Sequence, residues 1–323
     1  MQGAEIAIRE ANAEGGLNGM PFRLVTRSME GPWGTGSKEA VNLVFEEHVW
    51  AILGSHDGRN AHLVEQAATK TTVVFVSAWA ADPTLSQAFV PWFFNCVPND
   101  LQQSAELIEE IYDKRNISKV ATVSDNDYDS KWSLNSFLRE IKLVGKPDPL
   151  QFQYVNNNLD ITGLLDQISR NGIECIVLFC KPSVSYNIFL QIRSKKMNLP
   201  VFGSLYLLNE NDLLYSELQD YDNFLHIPSG NWSNSGTSAF RREFEEMNGK
   251  QPGIVAAYAF DGMNVLIEAI RKAGVPDREK IQESLKNIYY EGVTGPIRFD
   301  DNGNRTGNFK VTATKNGLPV AIE

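Results

Sequence analysis

Gly292-Val293-Thr294-Gly295-Pro296-Ile297-Arg298-Phe299-Asp300-Asp301-Asn302-Gly303-Asn304-Arg305, followed by an alternating run over 308–313, is the most informative stretch of this 323-residue chain. Near the other end stands Gly3-Ala4-Glu5-Ile6-Ala7-Ile8-Arg9-Glu10-Ala11-Asn12-Ala13-Glu14-Gly15-Gly16-Leu17-Asn18-Gly19. Between them short apolar runs alternate with longer amphipathic stretches, the pattern of βα units that feed parallel sheets. Strands are predicted at 22–28, 50–54, 73–77, 119–124, 149–154, 175–179 and 200–203. Helices are predicted at 3–13, 37–48, 61–70, 101–114, 130–143, 161–171, 186–196, 238–248, 255–273 and 278–287. Ser37 and Asp277, the latter directly after Pro276, are suited to cap the helices that open there.

The two quoted segments together resemble the type I periplasmic binding proteins of the leucine/isoleucine/valine-binding class. The resemblance covers essentially the whole chain and implies an α/β fold of two Rossmann-like doubly wound lobes. Lobe 1 would be 1–97 with 231–305, and lobe 2 would be 98–230 with 306–323. Three crossings near 97–100, 228–230 and 305–308 would form a hinge, and Pro98-Asn99-Asp100 and Pro228-Ser229-Gly230 are turn residues suited to two of them. The first recognisable element is a helix with no strand before it. In the open order 2-1-3-4-5 the first strand is central, and the family supplies one there with a loop that lines the cleft. About 20–25 residues are therefore expected ahead of this start, the length of one strand and a loop.

Bulk properties narrow the function. A chain with 42% apolar residues can bury a substantial core, and no apolar run reaches the ~18 residues of a membrane span. The net charge of -10, with the 30 Lys and Arg dispersed, argues against a nucleic-acid partner. Cys96, Cys175 and Cys180 sit in apolar runs and read as buried thiols, so cysteine usage does not decide the compartment. No signal peptide is visible, because Met1 leads directly into a helix-like pattern; either it was removed or the protein works in the cytosol.

Two stretches imitate catalytic motifs without meeting their geometry. Gly31-Pro32-Trp33-Gly34-Thr35-Gly36-Ser37-Lys38 nearly spells a phosphate-binding loop, but Ser37 precedes Lys38, so the lysine and hydroxyl would leave the helix at the wrong positions. Ser55-His56-Asp57 holds the residue types of a hydrolase triad, yet three adjacent side chains cannot align as nucleophile, base and orienter. His56 and His62 lack further ligands at metal spacing, and His62 is expected on a partly exposed helix face. No cofactor, metal or enzymatic activity is expected.

The ligand-binding candidates lie after predicted strand ends, where open α/β sheets bind small molecules. Gly54-Ser55-His56-Asp57-Gly58-Arg59-Asn60 opens a helix and offers free N–H groups to a polar or anionic group, although Asp57 and Asn60 are also good caps in their own right. In Ser77-Ala78-Trp79-Ala80-Ala81-Asp82-Pro83-Thr84-Leu85 the resemblance implies that small residues bring backbone groups to the ligand, with Trp79 as either a wall or a core residue. In the second lobe it implies that Tyr128, in Ser124-Asp125-Asn126-Asp127-Tyr128-Asp129, faces the ligand, and that Lys181 and Leu205-Tyr206 fall on two further loops. Asp57, Gly58, Arg59, Trp79, Ala80, Ala81, Tyr128, Lys181, Leu205 and Tyr206 are thus the candidate cleft residues. Tyr128, Lys181, Leu205 and Tyr206 could each also be ordinary loop surface.

Departures from the amino-acid-binding members matter as much. Gly58 stands where they carry a hydroxyl residue, Ala81 where they carry threonine, and Leu205 where an acid holds the ammonium group. An unpaired buried ammonium is costly, which leaves Asp57 or Asp127 to pair it. The pocket suits an apolar or aromatic carboxylate better, with Arg59 or Lys181 as countercharge. The resemblance implies a periplasmic or membrane-anchored extracellular solute-binding protein that delivers its ligand to an ABC transporter permease; a ligand-sensing domain without transport is the alternative. These motifs are specific to the fold family and not to a ligand.

Overall fold

A computed structural model describes residues 1–31, 34–87, 90–154, 161–230, 232, 235–307 and 309–322. The chain divides into two units, Met1–Asn99 with Ser233–Gly307 (unit 1) and Asp100–Trp232 with Asn308–Glu323 (unit 2). Unit 1 opens with α1 (Gln2–Ala13), α2 (Thr35–Phe45), β1 (Ala51–Gly54), α3 (Gly58–Lys70), β2 (Val74–Ser77), the short α4 (Thr84–Gln87) and β3 (Phe93–Asn95). Unit 2 follows with α5 (Asp100–Ile108), a π-helical stretch (Glu109–Lys114), β4 (Val120–Ser124), α6 (Tyr128–Val144), β5 (Leu150–Gln153), α7 (Ile161–Arg170) and β6 (Cys175–Phe179). It continues through α8 (Pro182–Ser194), β7 (Val201–Gly203), a 3-10 turn (Leu205–Leu208), α9 (Tyr215–Asp220) and β8 (Leu225–Ser229). The chain then returns to unit 1 for α10 (Ser235–Asn248), α11 (Ile254–Ala273), α12 (Arg278–Lys286), β9 (Tyr290–Gly292), β10 (Gly295–Phe299) and β11 (Arg305–Thr306). It ends in unit 2 with β12 (Lys310–Lys315) and β13 (Leu318–Ala321).

The sheet of unit 2 has the order β13-β12-β8-β7-β6-β4-β5. Its parallel part, β5-β4-β6-β7-β8, is the doubly wound 2-1-3-4-5 arrangement. The apolar runs of β4 and β6 are buried along their whole length, as strands covered on both faces must be, whereas β5 is exposed at the edge. The alternating run of the sequence becomes β12, antiparallel to β8, with Val311 buried on one face and Thr312 bonded to Ile227 O.

In unit 1 the parallel order is β1-β2-β3, and β11-β10-β9 forms a separate antiparallel sheet from the 292–305 stretch. Two buried charges explain that stretch. Asp261 of α11 accepts from Val293 N (2.8 Å), Thr294 N (2.8 Å) and Thr294 Oγ1 (2.5 Å), closing the turn between β9 and β10. Gly292 must be a glycine there, since a Cβ would lie 2.4 Å from Asp261 Oδ2. Arg305, 1% exposed, donates to the carbonyls of Cys96, Thr294, Gly295 and Pro296 and to Thr294 Oγ1. One guanidinium thereby satisfies a set of buried acceptors that would otherwise each carry a desolvation cost. Gly303, at φ 78°, brings its carbonyl to Asn95 N at 2.8 Å and fastens the motif to β3.

Three expectations are corrected. The 22–28 segment alternates like a strand but joins no ladder among the described residues. Side chains hold it instead: Asn12 bonds both backbone groups of Phe22, at 2.6 and 2.9 Å, and Arg23 and Arg27 pair with Glu47. Ser37 does not cap its helix, because α2 starts two residues earlier, after Gly34 in a left-handed conformation that no side chain would adopt cheaply. The predicted 101–114 helix changes to π winding after Ile108. Asp277 does cap α12, accepting from Lys280 N at 2.9 Å. Pro32 and Trp33 of the glycine-rich loop, and Asn308 at the third predicted crossing, lie outside the described residues. Cys96, Cys175 and Cys180 are free and buried.

Candidate functional site

Every candidate follows the carboxyl end of a parallel strand. In unit 1 the loops come from the adjacent, in-register strands β1 and β2, and Ala78 N donates to Gly54 O at 2.7 Å to hold the two loop starts together. Asp57 caps α3, taking Asn60 N on Oδ1 and Asn60 Nδ2 on Oδ2, both at 2.7 Å, with His56 Nε2 at 3.0 Å. Burial pushes its carboxyl upward, but the bonds from His56 and Asn60 outweigh this and hold it at about 2. Gly58 is buried and Arg59 exposed in the first turn of α3, with their N–H groups at the positive end of the helix.

On the second loop of unit 1, Trp79 is 5% exposed, its ring tilted against Tyr258 of α11 at 6.1 Å. The backbone of Ala80 is already engaged: its N–H donates to Ser77 Oγ (3.2 Å) and its carbonyl accepts from Asn95 Nδ2 (3.0 Å). The small residue there serves the loop's own closure. Ala81 is part-exposed. Asp82 Oδ1 takes Thr84 N (2.8 Å) and Thr84 Oγ1 (2.6 Å), starting α4, while Oδ2 lies 3.1 Å from His62 Nε2. Asp82 and its partner His62 were not among the candidates, although Asp82-Pro83-Thr84 carries the residue types of a side-chain-closed turn.

In unit 2 the loops after β4, β6 and β7 lie side by side, since β6 pairs with both neighbours. Asp125, buried and absent from the candidates, joins two of these loops: Oδ1 accepts from Asp127 N (2.9 Å) and Oδ2 from Lys181 N (2.7 Å). Tyr128 opens α6, half-buried, with its ring edge-on to Trp132. Lys181 keeps its ammonium exposed, 3.4 Å from Asp127 Oδ1. Leu205 is buried and donates its N–H to Gln103 Oε1 at 2.8 Å. Tyr206, half-buried, has its phenol pushed far up by burial and by the nearby charges of Asp127, Asp212, Asp129 and Asp125. Its hydroxyl is thus a neutral donor and acceptor.

Ten candidates therefore form two loop sets, one on each unit, with no nucleophile–base pair among the bonds described. The set of unit 1 offers a helix N-terminus, a buried indole and an exposed arginine, and that of unit 2 a helix N-terminus, two half-buried phenols and an exposed lysine.

Known proteins share this architecture. The branched-chain amino acid transporter substrate-binding protein LivJ from Streptococcus pneumoniae, solved with isoleucine, matches 99% of this chain and 92% of its own at a TM-score of 0.83 and 21% identity. The solute-binding protein of an ABC transporter from R. palustris, solved with benzoate, matches 99% of this chain and 89% of its own at a TM-score of 0.82 and 16% identity. At such identities the likeness is one of fold. The mouse ionotropic glutamate receptor kainate 5 is 22% identical over 191 residues, which are 51% of this chain, and the match spans 19% of the receptor's length. The mixed α/β architecture with its parallel sheets matches the type I fold of these neighbours, the periplasmic binding protein family matches residues 1–317, and the chain belongs to that family.

Proposed function

We propose that this protein is the extracytoplasmic solute-binding component of an ABC importer, and that the strand-end loops of its two units are its ligand-binding surfaces. The observation that carries the reading is the placement of all ten candidates after the carboxyl ends of adjacent parallel strands, within a family of binding proteins. The ligand is a small apolar or aromatic carboxylate. On unit 1 Trp79 is the candidate wall and the α3 N-terminus with Arg59 the candidate countercharge; on unit 2 Tyr128, Leu205 and Tyr206 are the candidate walls and Lys181 the candidate countercharge. The benzoate-bound relative is consistent with that preference.

A second reading, an amino-acid ligand, is favoured by the carboxylates around Tyr206, which suit an ammonium group. Thermal unfolding against benzoate, aliphatic acids, isoleucine, leucine, amides and nucleotides separates the two. A ligand at ~100 times its dissociation constant adds about 2.7 kcal/mol. A rise with benzoate or an aliphatic acid supports the carboxylate reading, and a rise with isoleucine or leucine transfers the site to the second. Uptake of the hit by vesicles carrying the cognate permease separates transport from ligand sensing without transport, while turnover of the hit would overturn both in favour of an enzyme.

A further inference from the structure

His62 sits one turn into α3, and each of its ring nitrogens faces a carboxylate. Nε2 lies 3.1 Å from Asp82 Oδ2 and 3.0 Å from Thr84 Oγ1, and Nδ1 lies 3.5 Å from Glu65 Oε2. The Thr84 hydroxyl gives its proton to Asp82 Oδ1 at 2.6 Å, so toward His62 it accepts. These three groups are acceptors, and an imidazolium, with an N–H on both nitrogens, meets both carboxylates where a neutral ring meets one. The Asp82 side chain is wholly buried and that of Glu65 nearly so, with Glu65 Oε1 lacking a hydrogen-bond partner among the described residues. A neutral ring that keeps its N–H for Asp82 turns a lone pair toward the Glu65 carboxylate.

β1, β2, β3 and α4 contain no titratable side chain. From α2, Glu39 pairs with Arg27, and Lys38 makes no ion pair among the described residues. His62 thus links two parts of one loop set: the helix whose first turn holds Asp57, Gly58 and Arg59, and the loop that carries Trp79, Ala80 and Ala81 into Asp82.

We propose that protonated His62 is a positioning residue for the binding loops of unit 1, clasping the loop after β2 to α3, and that loss of its proton loosens this clasp and weakens ligand binding. Its effect on the ligand rests on the solute-binding reading above; the clasp itself does not. The bonds from Asp82 and then Glu65, opposed by burial, raise the ring's pKa to about 9. The clasp is therefore closed at neutral pH and opens under alkaline conditions.

The test needs no ligand for its first arm. In the full chain, NMR titration of the His62 ring is expected to show a midpoint near 9, and amide exchange over 78–84, corrected for intrinsic rates, to lose ~10-fold protection between pH 8 and 10. His62→Gln is expected to exchange fast at all pH values, whereas His62→Arg, charged throughout, keeps the protection without a pH step. A ring midpoint at or below 6.5, or a protection step that persists in His62→Arg, overturns the clasp. In the second arm benzoate and isoleucine are the probes: affinity falling ~10-fold over the same pH range in the wild type, and flat in His62→Arg, supports the positioning role. A pH-independent affinity overturns it. If neither probe binds while the exchange step appears, the clasp stands and the solute-binding reading loses its support.

Discussion

The two loop sets face the same local problem, keeping neighbouring strand-end loops in register, and solve it with different donors. In unit 2 the buried carboxylate of Asp125 holds the backbone N–H groups of Asp127 and Lys181, and the Gln103 side chain holds that of Leu205. In unit 1 the buried carboxylate of Asp82 holds a backbone amide and hydroxyl of Thr84 and, across to α3, the ring of His62. Amide donors carry the same proton at every working pH, while an imidazolium does not. The same carboxylate device is thus pH-indifferent on its donor side in one unit and alkali-sensitive in the other. Unit 1 also relies on charge elsewhere, with Arg305 and Asp261 buried beneath the antiparallel sheet.

The largest expected effect comes from that buried charge. Arg305→Met leaves the carbonyls of Cys96, Thr294, Gly295 and Pro296 short of a donor and removes the charge that favours ionised Asp261, whose carboxyl burial already pushes upward. A loss of about 3–5 kcal/mol in denaturant unfolding is expected. If the contrast between the units is sound, amide exchange accelerates in β10 and β3 and stays unchanged in β4 and β6. Uniform acceleration would break it.

Asp125→Ala comes next. It removes one acceptor from each of two amides, with about 2 kcal/mol lost for hydrogen bonds to a charged group in a part-buried setting. The loss is expected to be the same at pH 7 and pH 9.5, because neither lost donor titrates. A loss that differs between the two pH values would show that a titrating group shares the work.

What the sequence made legible follows the same division. The βα alternation located the strands that carry both loop sets, and the parallel order in unit 2 is the doubly wound one that the family resemblance implies. Asp277 was readable as a cap because its helix starts locally, whereas Ser37 was not, since the left-handed Gly34 moved the start of α2. The 22–28 alternation misled because alternation reports one buried face and says nothing about whether a neighbouring strand is there to complete the ladder. β3 was missed since three residues in a longer apolar run give too few periods to count. The carboxylate clasps were out of reach altogether. Asp82 and His62 are 20 residues apart, as Asp125 and Lys181 are 56, and only the folded sheet brings each pair together.

The alkaline arm of the comparison is smaller in stability than in loop exchange. The His62 pKa in the folded chain, about 9, lies above its unfolded value of 6.5. Its contribution is therefore complete below pH 6.5 and disappears as pH rises through 9. With the ring 30% exposed, solvent screening reduces the gain well below the full conversion of the shift, to about 1–2 kcal/mol. Unfolding free energies measured from pH 6.5 to 10 are expected to fall by that amount in the wild type relative to His62→Gln. Parallel curves would show that Asp82 and Glu65 do not depend on the ring.

The smallest effect sharpens the comparison from the acid side, within unit 1 itself. Asp57 keeps a carboxyl at about 2, below its ordinary 3.8, despite burial, through bonds from His56, Asn60 N and Asn60 Nδ2. Here the folded pKa is depressed, so the stabilisation is present above pH 3.8 and is lost as pH falls through 2. Asp57→Ala removes cap and charge together and is expected to cost about 1 kcal/mol at pH 7. Asp57→Asn restores a capping oxygen for Asn60 N but gives up the pairing with His56, so it is expected to recover most of that loss and to flatten the acid limb of the stability profile. If Asp57→Asn proves as costly as Asp57→Ala, the His56 pair and not the cap fixes the start of α3. The first loop of unit 1 would then depend on a histidine charge as the second does, and the contrast with the amide-held loops of unit 2 would extend to both loops of the set.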